Sequence, residues 1–139
     1  MSLDLFAYLP TTKLGEIECY CTPVNINDLS VYTNGAIHLG NITHNLNEMA
    51  AHVPVDDHLT LYDVIWHSEK HFGGDIDKLR PMWDNGLHYV TGHYDELKQY
   101  NPQNGHGRGG YDIFVEFLKL IIFNSERLIG IGVRCESDR

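Results

Sequence analysis

The densest run of side chains able to do chemistry is 41-NITHNLNEMAAH-52, in which Asn41, Thr43, His44 and Asn45 are followed by Glu48 and His52. Asn and Thr offer neutral donors and acceptors, and a neutral imidazole can donate, accept or ligate a metal. Two other segments use the same vocabulary. One is the pair Trp66-His67, whose indole is a stacking face; the other is 101-NPQNGHGRGG-110, with Asn101, Asn104 and His106. Converging in space, Asn41, Thr43, His44, Asn45, Trp66, His67, Asn101 and Asn104 would line a polar pocket for a small ligand on an apolar wall. The plainer reading of Asn41 to Asn45 is helix capping and hydrogen bonding to a preceding strand.

Metal chemistry needs a closer count. His44 and His52 lie two helical turns apart, about 12 Å of rise, and cannot share one ion. His44 with Glu48 supplies two ligands, whereas zinc sites take three or four. The third would be His67, giving the candidate set His44, Glu48 and His67 for a divalent metal. Asp56, Asp57 and His58 form a second candidate, set against a solvated turn in VPVDDHL. Cys19 and Cys21 would point to one face of a strand, as ligands of a soft metal or simply as small strand residues. No G-x-S-x-G or H-E-x-x-H pattern occurs. The glycines of residues 104–110 precede a helix, whose first amides attract anions, but they lack the phosphate-loop signature and follow a helical segment. They are read as turn glycines.

The elements that must position these residues come in three regions. Within residues 1–40, LDLFAYLP, EIECYC, LSVY and AIHLG read as short strands, with PTTKLG and Asn34-Gly35 as turns. From residue 41 the period turns helical: Ile42, Leu46, Met49, Ala50 and Val53 share a face, with Asn41 as N-cap and Pro54 as stop. Leu61, Tyr62, Ile65 and Trp66 predict a second, short helix. A third runs from an Asp75 cap towards Tyr100, with Pro81 kinking it or marking its first turn, Gly86 as a close-packing contact and Gly92 as a break. The span 111–127 is the most apolar helix, predicted to be buried on more than one side. LIGIGVR predicts a last strand. The chain therefore reads as one α+β domain over residues 1–139: β-rich over 1–40, mainly helical over 41–127, and a final strand at 128–134. A small antiparallel-rich sheet from both chain ends would pack on a layer of about four helices.

Composition bounds the function classes. One domain suits 139 residues. Nineteen acidic side chains against ten basic ones give a formal charge of −9, which disfavours nucleic acid and anionic membranes and suits a basic protein or a cation. Nine histidines would titrate away most of that charge in mild acid, so solubility should fall towards about pH 5.5. No window reaches the roughly 20 apolar residues of a membrane span. The start, MSLDLFAYLP, lacks the basic and apolar regions of a secretory signal. A cytoplasmic protein with reduced cysteines is the expectation.

Four motifs, NITHNLNEMA, LYDVIW followed by His67, IDKLRPMWDNGLHYV and YNPQNGHG, spread over roughly residues 39–134. Through them the chain resembles a group of small proteins encoded by bacteria and their phages, to which no activity is assigned. It departs from that group at His106, where an aromatic is expected, and at GRGG, which lengthens the loop before Tyr111. The resemblance implies a phage or prophage accessory protein in the host cytoplasm. Such a protein would be non-catalytic, binding a protein partner or a small polar ligand near NITHN. Two alternatives stay open: a metal-dependent hydrolase using His44, Glu48 and His67 or the Asp56/Asp57 group, and a structural component of the phage particle, which would form a homo-oligomer.

Overall fold

A computed structural model describes residues 2–8, 24–26, 29–31, 36–101, 110–130 and 132–139. The EIECYC strand, Cys19 and Cys21, the PTTKLG and Asn34-Gly35 turns, Asn104 and His106 lie outside the described residues.

The first strand, β1 (Ser2–Tyr8), alternates as its sequence demands: Leu3, Leu5 and Ala7 are fully buried, while Ser2, Asp4, Phe6 and Tyr8 line the other face. A short antiparallel pair follows, β2 (Val24–Ile26) with β3 (Leu29–Val31). Next in the chain is β4 (Ala36–Thr43), and β5 (Arg134–Asp138) is the last strand. The main sheet is antiparallel and three-stranded in the order β4-β1-β5, so both chain ends meet in it and the fold is α+β, as the sequence predicts.

A bulge decides what β4 presents. Leu5 pairs with Gly40 and Phe6 with His38, leaving Leu39 as the extra residue. Leu39 and Gly40 consequently both turn inward, while His38 and Asn41 stay on the exposed face. Glycine at 40 is a packing requirement, since a Cβ there would lie 3.0 Å from Ile121 Cγ2 and 3.1 Å from Phe117 Cε1.

The helical layer is built from α1 (Asn47–Ala51), α2 (Ile76–Gly92), α3 (Tyr94–Leu97) and α4 (Gly110–Glu126), with a helical turn at Tyr62–Trp66. Asp75 caps α2, its Oδ1 accepting from the Asp77 amide at 3.0 Å, and α2 ends at Gly92 as predicted. Pro81 is exposed inside α2, where it removes one backbone donor without ending the helix. Gly86 is the close contact expected of it, facing the fully buried Leu61. Inner sheet residues, Leu46, Met49, Leu61, Ile65, both tryptophans and Phe114, Leu118 and Ile121 of α4 make one core. No described helix is long and apolar enough to cross a membrane.

Three expectations are corrected. The segment after residue 41 does not start as a helix: β4 continues to Thr43 because it pairs with β1 up to Ser2, and Thr43, not Asn41, caps the turn His44–Leu46 that leads into α1. The final strand is not 128–134. Gly130 and Gly132 hold φ of 82° and 79°, a turn conformation, and β5 starts at Arg134. Finally, α4 is not buried on more than one side: Phe114, Phe117, Leu118, Ile121 and Ser125 form a single buried stripe. Ile113, Leu120 and Phe123 are 44%, 47% and 55% exposed.

Candidate functional site

The structure distributes the predicted site residues over three settings. The first joins NITHN to the tryptophan segment. Trp66 is buried, and its indole Nε1 donates to His44 Nδ1 at 3.1 Å. That bond fixes the neutral tautomer of His44: Nδ1 is the acceptor and Nε2 carries the proton. The Trp66 carbonyl accepts from Arg139 at 2.6 Å, and Arg139 also donates to His67 Nδ1. Because a guanidinium is always a donor, His67 must hold its proton on Nε2, which meets the Tyr62 hydroxyl at 3.3 Å. Burial, reinforced by the Arg139 and Lys70 cations, holds the His67 imidazole below the usual histidine range.

This segment is pinned by β5. Ser137 Oγ donates to the Ile65 carbonyl, and the Ser68 hydroxyl lies 2.6 Å from Ser137 Oγ; both serines are buried. The Ser137 amide donates to Glu69 Oε2 at 3.2 Å, covering the outer edge of β5. Cys135 is buried beside them as a free thiol, pushed to high pKa by desolvation.

The candidate metal set does not assemble. Among the described residues no three His, Cys, Asp or Glu side chains gather into a ligand group, whether His44, Glu48 and His67 or the Asp56/Asp57/His58 turn. His44 spends its free lone pair on Trp66, and His67 spends its on Arg139. Glu48 lies on the exposed side of α1. His52 Nδ1 donates to the Glu48 carbonyl at 2.8 Å, and the ring stacks on Tyr100 at 4.1 Å. Asp56 Oδ1 accepts the His58 and Leu59 amides, a solvated turn that lowers its own pKa.

The second setting is the start of α4. Asn101 Oδ1 accepts the Tyr111 amide at 2.8 Å, and the Tyr111 hydroxyl donates to the Val90 carbonyl at 2.8 Å. Asn101 thus satisfies an amide in the first turn of α4, and Tyr111 ties that turn to α2. Thr43 and Asn45 have a similarly local role, the Asn45 amide donating to Thr43 Oγ1 at 3.3 Å.

The third setting is a groove of about 460 Å³ between β4 and α4, lined by Asn41, Asp112, Ile113, Glu116, Phe117 and Leu120. Phe117 forms its buried floor; the other five residues are exposed. On the sheet side, Asn41 Nδ2 donates to Asp4 Oδ1 at 2.8 Å and to Ser2 Oγ at 3.0 Å. His38 Nε2 makes a second contact with the same Asp4 oxygen at 2.9 Å. These bonds from Asn41 and His38 hold the Asp4 carboxyl below the usual carboxylate range. On the helix side, Asn124 Nδ2 donates to the Leu39 carbonyl at 2.9 Å, covering a backbone acceptor on the free edge of β4.

Of the residues read from the sequence, only Asn41 lines this groove; Asp112, Ile113, Glu116, Phe117 and Leu120 were not among them. The signal that could have found them is the surplus of apolar residues on α4. Ile113, Leu120 and Phe123 fall off the stripe formed by Phe114, Phe117, Leu118 and Ile121. Comparison with protein-family models, with curated proteins and with solved structures finds no match for this chain.

Proposed function

We propose that this chain is a binding protein without turnover of its own, of the accessory kind made by phages and prophages, acting in the host cytoplasm. Its partner is a protein that docks in the groove between β4 and α4. The observation that carries this reading is the groove's openness: five of its six lining residues are exposed, with Ile113 and Leu120 at 44% and 47%. Small-molecule sites bury most of their ligand, whereas exposed apolar side chains around an apolar floor suit the side chains of a macromolecule. Asn41 brings the NITHN segment to the rim of this surface.

The test uses tag-free protein and a Leu120→Ser variant in paired capture from infected cells, followed by titration calorimetry with each captured protein after purification. The expected result is a direct complex that weakens at least tenfold in Leu120→Ser at unchanged melting temperature. Equal binding by both forms contradicts the groove. Turnover of any small substrate that is lost in His44→Ala contradicts the non-catalytic reading.

A further inference from the structure

The free polar atoms that the described side chains offer the groove are acceptors. Asn41 spends both Nδ2 hydrogens on Asp4 and Ser2, so the atom it has left to offer is its carbonyl Oδ1. The remaining polar side chains are Asp112 and Glu116, one turn apart on α4. Among the described residues neither carboxylate is paired with a cation and no Lys or Arg lines the groove. Two carboxylates and a carbonyl therefore share the groove with Ile113, Phe117 and Leu120, with no free side-chain donor among the described lining residues.

From this we infer that the docked segment is cationic and apolar together: a stretch of partner protein presenting Lys or Arg next to a large aliphatic or aromatic anchor. The inference rests on the docking role proposed above and specifies its partner. The anchor covers Ile113 and Leu120, whose Cα atoms are two turns or about 10.5 Å apart along α4. The cation supplies the donors that Asp112, Glu116 and Asn41 Oδ1 lack. Neither half of the surface suffices for a simpler ligand. An inorganic cation takes six or more oxygens and gains nothing from the three apolar side chains. A neutral apolar segment would desolvate two carboxylates without compensation. A second copy of this chain, with its formal charge of −9, would bring Asp112 and Glu116 against an acidic surface.

The experiment titrates labelled synthetic peptides against the whole protein. Each peptide holds one Leu or Phe anchor flanked by Lys, by Gln or by Glu, and binding is followed by fluorescence anisotropy at low and moderate salt. The proteins are wild type, Glu116→Lys, Asp112→Asn (which spares the first turn of α4 from a cation) and Leu120→Ser. Lys-flanked peptides are expected to bind at least tenfold tighter than Gln-flanked ones, with the preference collapsing in salt. In Glu116→Lys it should reverse towards the Glu-flanked set, and in Asp112→Asn it should diminish. Equal binding of Lys and Gln sets, both weakened in Leu120→Ser, would overturn the cationic partner while leaving the groove standing. No response to any peptide in any form would overturn both. Concentration-dependent dimerisation lost in Leu120→Ser would overturn the inference in favour of a second copy.

Discussion

Replacing Gly86 with alanine sets two well-known effects against each other, and the structure says which wins. In a helix interior alanine is favoured over glycine by about 1 kcal/mol, so propensity alone predicts stabilisation. Gly86, however, faces Leu61 across the contact between α2 and the Tyr62–Trp66 turn. An added Cβ would lie 2.3 Å from Leu61 Cδ2, 2.5 Å from Cγ and 2.7 Å from Cδ1. Rotating a terminal methyl relieves only part of this, because the branch carbon itself is too close. Leu61 is fully buried, so any displacement pushes it against the surrounding core. Overpacking of this kind costs roughly 1–3 kcal/mol. With the branch carbon involved, about 2–3 is the better part of that range. The net change is a loss of about 1–2 kcal/mol, or roughly 4–8 °C in Tm for a domain of this length. A double-mutant cycle isolates the contact. Leu61→Ala alone should cost about 2–5 kcal/mol through its cavity. In that background Gly86→Ala should turn stabilising by about 1 kcal/mol, a coupling of about 2–3 kcal/mol between the two sites. The assay is urea unfolding of the four proteins, read by the fluorescence of Trp66 and Trp83. A rise in stability for Gly86→Ala in the wild-type background, or additivity in the cycle, would refute the packing argument.

Other consequences are equally direct. His44→Ala strips the acceptor from the buried Trp66 indole and should cost about 1–3 kcal/mol with a shift in tryptophan emission, while His44→Gln, which keeps an acceptor, should lose less. His67 titrates below its unfolded value of 6.5, so the unfolded chain binds its proton first. Its contribution is complete above about pH 6.5 and is lost as pH falls through the lower folded value. Denaturation curves between about pH 5 and 7.5 should therefore fall less steeply for His67→Gln than for wild type. Asn101→Ala removes the acceptor of the Tyr111 amide and should cost about 0.5–2 kcal/mol by urea midpoint, the range of a lost helix cap.

What was legible in the sequence is what local pattern decides. LDLFAYLP read as a strand and LDLFAY is one, Asp75 announced its cap, and Gly86 and Gly92 marked a contact and an end. The NITHN segment misled because Ile42 fits two patterns. It extends a helical stripe with Leu46 and Met49, and it is equally an inward residue of β4. The choice between them is made by β1, nearly forty residues away, which pairs with β4 through Ser2 and Thr43. β5 was hidden for a different reason. Its inward residues are Cys135 and Ser137, too small and polar to read as a core strand until Ile65 and Ser68 are seen to satisfy the serine. The groove was illegible because a helix with more apolar residues than one stripe can hold does not say which of them stay uncovered. Only the crossing of α4 against Gly40 decides that Phe117 and Ile121 go in while Ile113 and Leu120 remain out.

Docking between β4 and α4 can be read residue by residue by mapping amide chemical-shift changes as a Lys-flanked, Leu-anchored peptide is added to isotope-labelled protein. Shifts should concentrate at Asn41, Asp112, Ile113, Glu116, Phe117 and Leu120, the residues that line the groove. Shifts centred instead on His44, Trp66 and His67, with α4 silent, would contradict it and return the site to the tryptophan segment.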